Sequence, residues 1–224
     1  MKFLLTSSGI HNPSISAALV DLLGKPVAES TALFVPTGVL PFANGGEMAW
    51  KALNGPLCRL GWKSLGMLEL TALPTIREEN WLPAVRAADA LLVWGGDVLY
   101  LTYWLRRSGL ADLLPTLTDT VYVGVSAGSI AVTPYNCDAE FDKQFVPDGH
   151  DMAEGADRAL GLVDFTLYPH LNHPDMEDTT LANIEQWAAT VPVPTYAIDD
   201  DTALKVVDST VEVISEGDWK LLNP

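Results

Sequence analysis

The chain is short of cysteine, of positive charge and of histidine, and each scarcity removes a class of function. Two cysteines, Cys58 and Cys137, in 224 residues are too few for a disulfide framework or a thiolate metal centre. Thirteen Lys and Arg against 29 Asp and Glu give a formal net charge of −16 at neutral pH. Such a balance repels phosphate backbones and anionic lipid unless a basic patch intervenes, and the densest basic run is Arg106-Arg107. No uncharged apolar run reaches 18 residues, so no transmembrane helix is expected. The first apolar run breaks at Ser7-Ser8-Gly9, too early for a secretory signal. The expectation is a cytoplasmic protein with no nucleic-acid or membrane partner. Linkers, low-complexity tracts and repeats are also missing, so residues 1–224 read as one domain.

What is present is apolar residues, 48% of the chain, which excludes disorder. They fall in short runs that read as strands: Lys2 to Thr6, Ala32 to Pro36, Leu65 to Leu70, Ala90 to Trp94 and Val121 to Val125. Runs of this kind suit strands buried on both faces of a mostly parallel sheet. Helical patterns separate them at Ile15 to Leu23, Gly46 to Asn54, Glu78 to Ala88 and Val98 to Ser108. The last third differs: a helix over Asp175 to Thr190, then strands Thr195 to Asp199, Ala203 to Asp208 and Val211 to Ser215. The last two read as a hairpin around Ser209-Thr210. The expected fold is a three-layer α/β sandwich with an antiparallel addition at one edge. Trp50, Trp62, Trp81 and Trp104 read mostly as core, and a monomer or a homodimer fits equally.

Gly124-Val125-Ser126-Ala127-Gly128 fits the pattern of a strand-to-helix turn that lifts a serine hydroxyl above the sheet edge. A serine there is either a nucleophile or a helix cap. Gly95-Gly96-Asp97 follows another strand, and in a parallel sheet its N–H groups reach the same edge as donors for an oxyanion. His170, after the short apolar Leu167-Tyr168, is the natural base. His173, beside Pro174, is expected to face solvent, His150 reads as a loop residue, and His11 lies near enough to the first strand's end to approach a substrate. These four histidines have irregular spacings and no H-E-x-x-H, so no metal and no cofactor is expected. The acid to orient the base comes either from Asp199-Asp200-Asp201, at a strand end, or from Asp138, Glu140 and Asp142; the strand end favours the first group.

The order and spacing of Leu5-Thr6-Ser7-Ser8-Gly9, Val93-Trp94-Gly95-Gly96-Asp97, Gly124 to Ser129, Pro169-His170-Leu171-Asn172 and Ala197 to Ala203 resemble the peptidase E family of serine peptidases, which includes aspartyl dipeptidases and cyanophycinases. The resemblance implies a class I glutamine-amidotransferase-like fold of the flavodoxin-like kind. It implies Ser126 as nucleophile, His170 as base, and Gly96 with Ala127 as backbone oxyanion donors. The cyanophycinase acid falls on Asp200, one methylene shorter than the usual Glu; the aspartyl-dipeptidase acid falls among Asp138, Glu140 and Asp142. The implied substrate is a short peptide cut near a free amino terminus, Asp-X among the options; Arg77, after a strand end, and His11 are substrate-side candidates by position, outside any substrate motif of the family. A cyanophycinase-like β-aspartyl hydrolase, an esterase and a non-catalytic binding protein are the alternatives.

Overall fold

β1 (Lys2–Thr6), β2 (Thr31–Val35), β3 (Ser64–Met67), β4 (Ala90–Val93) and β5 (Val121–Val125) run parallel in the order β3-β2-β4-β5-β1. The structure, a computed structural model, describes residues 1–137, 145 and 158–224; Asp138, Glu140, Asp142 and His150 lie outside the described residues. Every residue of β4 and β5 is buried, because side chains that alternate along a strand here meet a core on each face. Leu91 and Val93 enter one core, Ala90 and Leu92 the other. Ile15, Leu19 and Leu22 of α1 (Pro13–Leu23), with Ala52 of α2 (Gly45–Leu53), build the second. The first is closed by Val85 of α3 (Leu82–Ala87), Leu101 and Leu105 of α4 (Val98–Arg107), Leu110 of α5 (Leu110–Leu113) and Ile130 of α6 (Ala127–Ile130). The three layers of the α/β class I glutamine-amidotransferase-like fold are therefore present. Truncating any of these fully buried leucines to alanine removes about 2–5 kcal/mol.

Several expected elements are shorter or broken. Asp175 to Thr190 divides into a 3-10 turn at Glu177–Thr179 and α7 (Leu181–Ala188), because Thr180 takes extended backbone and its hydroxyl accepts the Asn183 N–H. Glu78 to Ala88 divides likewise, with Pro83 in the first turn of α3, where its missing N–H is harmless. Trp81 is buried, whereas Trp50 is 65% exposed. No helix among the described residues is long and apolar enough to cross a membrane.

The antiparallel addition is β8 (Thr202–Val207), paired to β1, and β9 (Thr210–Ser215). Their turn is Asp208-Ser209, one residue earlier than expected, with φ of 48° and 64°; two left-handed residues match the twist of a tight hairpin. Thr195 to Asp199 does not join this sheet. As β7 (Thr195–Ile198) it lies in a second sheet, ordered β10-β7-β6, with β6 (Thr166–Tyr168) parallel to it and β10 (Trp219–Leu222) antiparallel. The chain changes sheets at Asp199-Asp200-Asp201. There Asp199 ties the bend together, its Oδ1 accepting from the Asp201 N–H and the Thr202 hydroxyl at 3.1 and 2.7 Å, and its Oδ2 from the Asp218 N–H.

Candidate active site

The register sets Thr6 opposite Val125 and Val93 opposite Gly124, so the carboxyl ends of β1, β4 and β5 open on one edge. Ser126 stands there with φ 50° and ψ −116°, a conformation that side-chain-bearing residues avoid and that costs about 1–3 kcal/mol. The surroundings hold it. Its N–H donates to the Thr6 carbonyl at 3.1 Å, and its carbonyl accepts from Ser129 and Ile130. The Ser129 hydroxyl also donates to the Thr6 carbonyl, and the Tyr122 hydroxyl, fully buried, donates to the Gly128 carbonyl at 2.7 Å. Glycine is required at 128, where a Cβ would run into the Val93 carbonyl oxygen.

The Gly95-Gly96 turn runs beside the serine: a Cβ on Gly95 would approach the Ser126 Cβ to 3.2 Å. Gly96 has φ 120°, and a Cβ there would collide with the Gly38 carbonyl oxygen. The N–H groups of Gly96 and Ala127 donate to no protein acceptor among the described residues.

His170 follows β6 and belongs, with Asp200, to the edge of the second sheet. Its φ is 61°, and its ring is 16% exposed. Nε2 lies 2.9 Å from Ser126 Oγ and Nδ1 lies 2.8 Å from Asp200 Oδ1. An ionised carboxylate only accepts, so Nδ1 carries the hydrogen and Nε2 presents a lone pair to the serine. Burial pushes the Asp200 carboxyl up, but hydrogen bonds from Ser7, Ser8 and His170 outweigh it and hold the group below the ordinary carboxylate range. The arrangement can pass a proton from Ser126 to His170 while a negative charge opposes the imidazolium that forms.

The structure thus brings Ser126, His170 and Asp200 into one relay, with Gly96 and Ala127 beside it, and the shorter acid reaches the imidazole directly. Neither His11 nor Arg77 hydrogen-bonds Ser126, His170 or Asp200 among the described residues. His11 is exposed with Nε2 on the Ser8 carbonyl, and Arg77 is 84% exposed and paired with Glu79. His173 departs from its expected solvent position: its Nε2 lies 3.8 Å from Asp200 Oδ2 and its ring stands edge-on to His170 at 6.1 Å. Ser7 is the residue whose part sequence reasoning missed. Fully buried, its Oγ donates to Asp200 Oδ1, accepts the His170 backbone N–H at 2.9 Å and lies 3.1 Å from His170 Nδ1. The available signal was its place just past a central strand of the sheet. Burial pushes the Cys58 thiol up to about 11, which leaves it unreactive. Among the described residues no group of three or more His, Cys, Asp and Glu is gathered to hold a metal.

The model of peptidase family S51 matches residues 3–214. An uncharacterized peptidase of Listeria monocytogenes is 24% identical over 217 residues, 91% of this chain and 94% of that protein. Among solved structures, a Listeria monocytogenes protein assigned to peptidase E superposes with a TM-score of 0.66 at 21% identity, covering 96% of this chain and 98% of the other. A peptidase from an acI-B1 Actinobacterium gives 0.62 at 19% identity, covering 99% and 93%. At these identities the likeness to the solved structures is one of fold.

Proposed function

The chain belongs to peptidase family S51, and on that premise we propose that it is a serine peptidase hydrolysing short peptides near a free amino terminus, with Ser126, His170 and Asp200 as its triad. The observation that carries this reading is the unbroken relay from Ser126 Oγ through the imidazole to Asp200, at 2.9 and 2.8 Å. In the first half-reaction, Ser126 Oγ attacks the peptide carbonyl carbon as its proton passes to His170 Nε2. The carbonyl oxygen becomes an oxyanion, and the N–H groups of Gly96 and Ala127 are the donors nearest to receive it. His170 then gives its proton to the leaving amine nitrogen as the C–N bond breaks, leaving an acyl-serine. Water completes the cycle: as His170 takes its proton, the water oxygen attacks the ester carbonyl carbon, the C–O bond to Ser126 breaks to release the carboxylic acid product, and His170 returns the proton to Ser126 Oγ.

The free amino terminus is favoured by charge. A surface of net charge −16 concentrates cationic amines and repels acidic peptides. Exposed Asp201 and Asp175 flank the relay in sequence on the same loops as Asp200 and His173. The test is a hydrolysis screen of Asp-X, Leu-X and β-Asp-Arg dipeptides, with amino-blocked controls, on wild type and Ser126→Ala. Turnover of unblocked dipeptides that falls by about 10³-fold or more in a folded Ser126→Ala protein supports the reading. A folded Ser126→Ala protein with most of its rate makes the serine structural and ends it.

A further inference from the structure

We propose that Ser7 is a positioning residue of this reaction, a hydroxyl brace that fixes the tautomer and the angle of His170 against Ser126; the proposal rests on the serine-peptidase reading above. A serine hydroxyl offers one hydrogen and two lone pairs. Its neighbours here use all three. Two of them are donors: the His170 backbone N–H at 2.9 Å and the His170 Nδ1–H at 3.1 Å. The hydrogen of Ser7 therefore has one destination, Asp200 Oδ1, which also accepts from His170 Nδ1 at 2.8 Å. Ser7, Asp200 and His170 form a closed triangle in which each hydrogen has a single consistent place.

That closure has chemical content. Move the imidazole hydrogen from Nδ1 to Nε2, and the Nδ1 lone pair faces a carboxylate oxygen, while the single Ser7 hydrogen cannot serve both Nδ1 and Asp200 Oδ1. The triangle thus excludes the tautomer in which Nε2 could no longer take the Ser126 proton. Turn the ring, and Nδ1–H loses two acceptors at once. The brace also bears on the main chain. His170 has φ 61°, an unfavourable conformation for a side-chain-bearing residue, and Ser7 holds the N–H of that same residue. Ser7 is 0% exposed, so bulk water does not stand in for the hydroxyl. The site is also split between two sheets, with Ser7 and Ser126 on the seven-stranded sheet and His170 and Asp200 arriving from the three-stranded one. Ser7 is the side chain of the first sheet that hydrogen-bonds both residues of the second.

The test compares wild type, Ser7→Ala and Ser126→Ala on one unblocked dipeptide, reading kcat and KM separately. It adds the proton NMR spectrum in water, where the Nδ1–H of an imidazole bonded to a carboxylate resonates far downfield of the amides. Ser7→Ala is expected to lower kcat about tenfold to a hundredfold, the scale of a slightly misplaced reacting group, with KM within about twofold of wild type. The downfield resonance should move, because Nδ1–H then has one acceptor rather than two. A folded Ser7→Ala protein with kcat within about twofold of wild type overturns the proposal. So does a lower kcat with the resonance unmoved, which makes the loss a general structural one. Should Ser7→Ala not fold, Ser7→Cys, which keeps the side chain's shape with a weak donor and acceptor, is measured in the same two ways, and the same results support or overturn the brace. If Ser126→Ala itself keeps its turnover, the serine-peptidase reading fails; if only Ser7→Ala keeps it, the brace alone does.

Discussion

Asp200→Asn keeps the shape of the side chain and removes its charge. In the folded protein Asp200 Oδ1 lies 2.8 Å from His170 Nδ1. When His170 takes the serine proton, unit charges at that separation attract by about 6 kcal/mol at an effective dielectric of about 20. The Asp200 side chain is 34% exposed, and solvent screening cuts that figure to about 3–4 kcal/mol. Because about 1.4 kcal/mol is tenfold in rate, kcat should fall about 10²- to 10³-fold. The loss of about 10⁴ produced by the equivalent change in chymotrypsin-type enzymes is the upper bound. Asparagine can also turn its NH2 toward Nδ1, which calls for a lone pair there and places the hydrogen on Nε2, facing Ser126; that orientation deepens the loss. The assay is dipeptide hydrolysis at neutral pH beside a melting curve. A folded Asp200→Asn enzyme within about threefold of wild type, next to an inactive Ser126→Ala, refutes the reasoning. The orienting acid then lies among Asp138, Glu140 and Asp142, and variants of those three become the next measurement.

The same carboxylate sets a stability trend with pH. Its folded pKa is depressed, so its stabilising contribution is whole above the ordinary aspartate value of about 3.9 and fades as pH falls through the lower folded value. The melting-temperature gap between wild type and Asp200→Asn should be full at neutral pH and close below about pH 4; a gap that widens in acid contradicts the shift. Gly96→Ala sets a side chain against the Gly38 carbonyl and demands φ 120° of a residue that resists it. It should lower stability by about 1–3 kcal/mol and kcat by about 10²-fold or more; unchanged kcat removes Gly96 from the oxyanion site.

The centre of the parallel half was legible because β4 and β5 are buried on both faces, which leaves unbroken apolar runs such as Ala90-Leu91-Leu92-Val93. The second sheet was legible only in part: the short apolar run of β6 and the run of β7 read as strands, but β10 carries Trp219, 44% exposed, and Lys220 and has no apolar run to mark it. That β7 and β8 belong to different sheets was not legible, because the bend between them depends on Asp199 reaching Asp218, 19 residues away. At the site, the residues that stand out are those whose chemistry is written locally: a serine between glycines, a histidine after a strand, acids at a strand end. Ser7 is marked locally only by its place just past a strand, which does not say what it touches. Its contacts lie 163 and 193 residues along the chain, and only the fold brings them together. His173 was misplaced for a related reason, since the left-handed backbone at His170 and Asn172 turns it back toward Asp200.

The division of the relay between two sheets has a consequence for biosynthesis. As the chain leaves the ribosome, β1 to β5 can assemble and raise Ser126 on its strained turn while the histidine and acid do not yet exist. Asp200 arrives only as β7 gives way to β8, and β8 pairs with β1, a strand made long before it. Attaching β8 is also what brings Asp200 to Ser7. On the mechanism proposed above, the serine is until then an ordinary alcohol, and an unfinished chain with its own exposed peptide segments has no working peptidase beside it.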